Sequence, residues 1–157
     1  MNDTQAFPSA PTADALSGLY RRLEERHGFA VLNDEAAFDA FAAGEGDRLV
    51  LFAEDPAKFP ETWDVAVVLP EVVKPLAGRI SAAVLSIEAA RRVATRYGIK
   101  LWPALVFLRG GEYVDVLEGM KNWDTFAREV PAMLTKPVSR APSIGIAVNS
   151  IGGSACA

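Results

Sequence analysis

The sequence predicts an α/β domain, a mixed sheet with helices on both faces. Arg48-Leu49-Val50-Leu51-Phe52-Ala53 and Ile80 to Leu85 are apolar without alternation. That is the pattern of strands buried on both sides, as in a parallel sheet. Segments of helical character separate these strands, and helical crossovers join parallel neighbours with right-handed connections. The segments Ala104 to Leu108 and Tyr113 to Leu117 differ: only Arg109-Gly110-Gly111-Glu112 stands between them. Gly-Gly accepts the positive φ values of a two-residue hairpin turn, so these two strands should pair antiparallel.

Taken in order, Met1 to Pro11 is polar and proline-containing, and reads as a loose tail. Leu16, Leu19, Tyr20 and Leu23 follow helical spacing, which predicts a helix over Ala13 to His27 ending near Gly28. Phe29 to Leu32 is a short strand. Asn33 suits the N-cap of a helix that turns Ala37, Phe38 and Phe41 inward, and Gly44-Glu45-Gly46-Asp47 breaks it. Glu54 to Pro60 is a loop. A helix over Thr62 to Lys74 contains Pro70, which should kink it. Ser86 caps a helix through Tyr97, and Gly98 suits a left-handed stop. The last helix runs from about Asn122 to Leu134. From Pro137 the chain is Ser/Pro/Gly-rich without helical period. The domain reading is therefore a tail over 1–11, a folded unit over 12–136 and a second tail over 137–157.

Half of the 157 residues are apolar, enough for a substantial core. A net charge of -4 argues against nucleic acid as a partner. A single cysteine, Cys156, allows no internal disulfide. The N-terminus lacks a basic and then apolar leader, and no apolar run approaches the ~20 residues of a membrane span. A cytoplasmic protein with no membrane insertion is the expectation. The only histidine, His27, ends the first helix, as a C-terminal cation or a packed residue. One Cys and one His make zinc improbable, and no Gly-rich loop opens a helix after a strand to cradle phosphate. No catalytic residue, metal or cofactor is expected.

Tyr97-Gly98-Ile99, then Pro103, Phe107, Gly111-Glu112 and Gly119 form a recurrent signature over residues 28 to 135. On these residues the chain resembles thioredoxin. The resemblance implies a cis peptide before Pro103 and a peptide-binding groove beside it. It also implies a Trp-Cys-x-x-Cys after the central strand, where this chain has Glu54-Asp55-Pro56-Ala57-Lys58-Phe59-Pro60-Glu61. The buried aspartate of thioredoxins corresponds to Leu51 here. Disulfide exchange needs a thiolate, and this groove offers none. The Asp55-Pro56 turn, Asp64-Val65-Ala66-Val67-Val68-Leu69-Pro70-Glu71 and Gly119-Met120-Lys121-Asn122-Trp123 resemble the [NiFe]-hydrogenase assembly chaperones of the HyaE/HupG/HoxO family. That resemblance implies a non-redox chaperone. Its partner would be the hydrogenase small-subunit precursor, with its twin-arginine signal peptide.

The residues allow a site for such a partner. Asp34 to Glu71 carries ten acidic residues against two basic ones, Arg48 and Lys58. Glu54, Asp55, Glu61 and Asp64 would ring the loop, and carboxylates accept the arginine fork bidentately. Trp102 and Pro103 would add backbone groups for an extended peptide and an apolar platform. Each acid also fits a plain solvated surface, and Trp102 equally fits a side chain folded over the sheet edge. Trp63 and Trp123 read as packing residues. Lys74, Arg79, Arg91, Arg92, Arg96 and Lys100 read as a solvated basic face, or as a docking surface for another maturation protein. Two other functions stay open: a one-cysteine thiol oxidoreductase using Cys156, and a catalytically silent scaffolding module.

Overall fold

The computed structural model describes residues 11–142. Helix α1 spans Ala13–His27, capped by Thr12, whose hydroxyl accepts from Ala15 N–H at 3.2 Å. It ends on Gly28 in the left-handed region, where a residue without a Cβ carries no penalty. Strand β1 is Ala30–Leu32, and α2 is Glu35–Ala42. Asp34, not Asn33, is the N-cap of α2: its carboxylate accepts from Ala37 N–H at 2.7 Å. Two adjacent residues of equal capping ability cannot be ranked by type alone.

Strand β2 (Asp47–Phe52) leads to α3 (Glu61–Val73), which contains Pro70 and continues as a 3-10 turn over Lys74–Leu76. Strand β3 (Ile80–Leu85) precedes α4 (Ile87–Val93), capped by Ser86 and tightened into a 3-10 turn over Ala94–Tyr97. Strands β4 (Ala104–Arg109) and β5 (Glu112–Glu118) form the hairpin, with Gly110 and Gly111 at φ 58° and 85°. Helix α5 is Trp123–Ala132, followed by a 3-10 turn over Met133–Thr135.

The strand order is β1-β3-β2-β4-β5. The first three strands are parallel, and β4 and β5 are antiparallel additions. Alternate side chains of β2 divide the core. Leu49 and Leu51 join α1, α3 and α5 on one face, while Val50 and Phe52 join α2 and α4 on the other. On the second face Phe38 and Phe52 meet edge-on at 5.7 Å between centroids, with Tyr97 at 6.0 Å from each. Such contacts add to the area term of burial.

Past α5 the chain crosses the outer edge of β5. Ser139 N–H donates to Tyr113 C=O at 2.7 Å, and its hydroxyl donates to Val114 C=O at 3.1 Å. Arg109 ties down the turn before it, donating to the carbonyls of Met133, Leu134 and Lys136 and to Asp47. These contacts involve residues within and next to the span expected as a C-terminal tail. Residues 1–10 and 143–157, which include Cys156 and the segment Ile144 to Ile151, lie outside the described residues.

Candidate functional site

The antiparallel register of β2 and β4 ends on the pair Phe52 and Ala104. Continued one step, it sets Ala53 beside Pro103, and another step sets Glu54 beside Trp102. The Trp102–Pro103 peptide is cis. The loop after β2 and the loop before β4 therefore share one end of the sheet. Pro103 C=O accepts from Gly119 N–H at 2.7 Å, and Glu118 accepts from Lys100 N–H at 2.7 Å. These two bonds lace the Pro103 loop to the end of β5.

The loop after β2 is held by its own polar groups. Asp55 accepts from Ala57 N–H through its side chain and from Lys58 and Phe59 N–H through its carbonyl. That is the Asx-turn chemistry of a short acidic residue before a proline. Thr62, fully buried in the first turn of α3, accepts from Glu54 N–H at 3.4 Å. The helix start is thus tied to the strand end.

Glu54 does not stand free on the rim. It is 8% exposed. Arg91 of α4 grips it, with Nε 3.0 and 2.9 Å from its two carboxylate oxygens and Nη2 donating to Oε1. Asp55 N–H adds a bond of 2.8 Å to Oε1. The Arg91 fork, and less strongly that backbone bond, hold the Glu54 carboxyl below its ordinary pKa against the opposing effect of burial. Asp55 is half-buried, and Glu61 and Asp64 are exposed on the first turn of α3. That turn packs with the α1/α3/α5 face, whereas Trp102 is half-buried against the α2/α4 face. The six candidate residues thus share one end of the sheet but straddle its two faces. Cavities of about 540 and 660 Å³ lie elsewhere, and none of the six lines either.

Three apolar side chains at this end escape a sequence reading. Leu101 is 60% exposed and Met120 42%, on the two laced loops, and Trp123, which opens α5, is 51% exposed. Trp123 shares the spacing of Phe126, Val130 and Met133, so periodicity places it in the core. Periodicity does not mark where the packing partner of a helix stops. Trp63, by contrast, packs against the core as its spacing suggests. The basic face is only partly solvated: Arg91 holds Glu54, and Arg96 bridges to Glu35 and Asp39 of α2 at 3.0 and 2.6 Å.

Among the described residues no group of three or more His, Cys, Asp or Glu is placed to hold a metal ion. None of their helices is long and apolar enough to cross a membrane. Fold and sequence together define a thioredoxin-like domain whose loop after β2 carries carboxylates and no thiol. A thioredoxin structure from Plasmodium falciparum superposes with a TM-score of 0.54, covering 67% of this chain and 95% of that one at 15% identity, a likeness of fold alone.

Residues 19–126 match the family described as Hydrogenase-1 expression protein HyaE. The hydrogenase expression/formation protein HoxO of Cupriavidus necator is 44% identical over 149 residues, covering 93% of this chain and 92% of that protein. The hydrogenase expression/formation protein HupG of Rhizobium leguminosarum bv. viciae is 37% identical over 140 residues, covering 87% of this chain and 89% of that protein. The chain belongs to the HyaE family of thioredoxin-like hydrogenase expression and formation proteins, and its role lies in hydrogenase maturation.

Proposed function

We propose that the protein acts by binding rather than catalysis, as a cytoplasmic chaperone of the [NiFe]-hydrogenase small-subunit precursor. The element it grips is the twin-arginine signal peptide. The observation that carries this reading is a juxtaposition. Asp55, Glu61 and Asp64 lie at the same end of the sheet as exposed Leu101, Met120 and Trp123. A signal peptide presents a basic segment followed by an apolar one. The acids suit the first and the apolar side chains the second. The backbone of Trp102, before cis Pro103 at the mouth of β4, offers an extended chain groups to pair with.

Glu54 enters this scheme by exchange. Its acceptor oxygens already hold Arg91, whose own side chain is half exposed. A ligand guanidinium can take the place of Arg91 and release it to solvent, so charge pairing at Glu54 is conserved. The remaining acids act as surface acceptors, each contributing about 0.2–1 kcal/mol.

The test is titration of a synthetic twin-arginine signal peptide into the full chain at low salt. Neutralising three acids together (Asp55→Asn, Glu61→Gln, Asp64→Asn) should weaken binding by roughly three- to a hundredfold. A twin-lysine peptide should also bind less well, since lysine cannot make the two-pronged contact. Equal affinity of the wild-type and triple-variant proteins would remove the acidic rim from the reading.

A further inference from the structure

The opposite end of the sheet carries a second feature, independent of the reading above. Strand β2 pairs with β3 along Ile80–Leu85, but β1 pairs with it only from Ala83 to Leu85. Gly28, left-handed at φ 69°, ends α1, and the chain enters β1 only at Ala30, level with Ala83. Ser86 N–H donates to Leu32 C=O, so by strand alternation the even-numbered residues of β3 aim their backbone groups at the β1 side. The N–H of Ala82 and the C=O of Ile80 therefore face a lane with no strand in it. A cavity of about 660 Å³ occupies that lane, within the usual size of ligand clefts.

Its lining is polar and apolar in about equal parts, with an excess of positive charge, in a chain of net charge -4. Arg48 and Lys74 line it against one acid, Glu71. Neither Arg48 nor Lys74 forms an ion pair among the described residues. The Arg48 guanidinium lies 4.6 Å from the Phe41 ring centroid, in space that a Cβ at Gly44 would fill. Its Nη2 makes one long bond, 3.4 Å, to Glu45 C=O, and its buried Nε has no partner. The hydrogen-bonding capacity of this cation is mostly unused.

We propose that this cavity binds a short extended peptide carrying a carboxylate. The peptide backbone would continue the lane of β1 along Ile80 to Ala82, and its carboxylate would meet Arg48 and Lys74. The probes are N-acetylated Ala-Val-Ala-Val-Ala with a free C-terminal carboxylate, and the same peptide as its C-terminal amide. Each is titrated into the full ¹⁵N-labelled chain and read at the amide resonances. The acid should shift the amides of Ile80 and Ala82. The amide form should bind about fivefold more weakly or worse. Arg48→Met and Lys74→Met should each narrow that difference; Lys74 is exposed, so its variant keeps the fold even if Arg48→Met does not. Absence of shifts at these amides, equal affinity for the two peptides, or a difference unchanged in Lys74→Met would overturn the proposal.

Discussion

Replacing Thr62 by valine tests how the acidic loop is held. Thr62 is fully buried, and its hydroxyl accepts the Glu54 N–H at 3.4 Å. Valine keeps the shape and removes the acceptor, which leaves a buried donor without a partner. Such a loss costs about 1–3 kcal/mol, against about 0.5–1.5 kcal/mol for the net worth of an ordinary hydrogen bond. The bond is long, so the low end applies, about 1 kcal/mol. With a urea dependence of about 1–3 kcal/mol per molar, the unfolding midpoint should fall by roughly 0.3–1 M. Hydrogen exchange at the Glu54 amide should accelerate in the same variant, because opening of the loop no longer breaks that bond. Thr62→Ser, which retains the oxygen, should keep the amide protected. A valine variant with an unchanged midpoint and a Glu54 amide as slow as in the wild type would refute the tie between α3 and the strand end.

The Glu54 carboxyl has a folded pKa below its ordinary value of 4.5. Its stabilising contribution is therefore present above that value and lost as pH falls through the folded one. Urea midpoints measured from pH 6 to pH 3 should decline less steeply in Glu54→Gln than in the wild type. The tyrosines act on the alkaline side. Burial raises the pKa of Tyr20 beyond the ordinary range and that of Tyr113 to about 12, and it raises Tyr97 as well. Their contribution is complete below the ordinary value of 10.0 and fades as pH climbs toward the folded values. Absorbance titration should show less tyrosinate at pH 10 than free tyrosine gives while the chain stays folded, and ordinary titration there would contradict the packing. Phe38→Ala removes a ring with no exposure from its contacts with Phe52 and Tyr97. It should cost about 3–5 kcal/mol in urea unfolding, and a loss below about 1.5 kcal/mol would mean that the cluster repacks.

Much of this fold is legible in the sequence because its signals are local. Val50, Leu51 and Phe52 read as a doubly buried strand whatever lies beside them. Gly98 and Gly28 announce left-handed stops one residue past a periodic apolar stripe. The thioredoxin-like signature around Pro103 locates the end of the sheet where the candidate site lies. The remainder depends on contacts across long stretches of chain. Glu54 and Arg91 are 37 residues apart, and nothing in the spacing of either marks the other as partner. That pairing withdraws one acid from the expected acidic rim. Thr62 reads as a helix-start residue, and only its burial gives it the Glu54 amide. Leu101, Met120 and Trp123 read as ordinary loop or core positions, because sequence does not show which apolar side chains the fold leaves uncovered.

The Ser139 clasp on β5 has a consequence for how this molecule meets others. A sheet margin with free backbone groups invites another chain to pair along it. Here Ser139 occupies the carbonyls of Tyr113 and Val114, so a chain pairing along β5 would meet a segment already seated at that end of the strand. The far flank, ended by three-residue β1, carries no such clasp among the described residues.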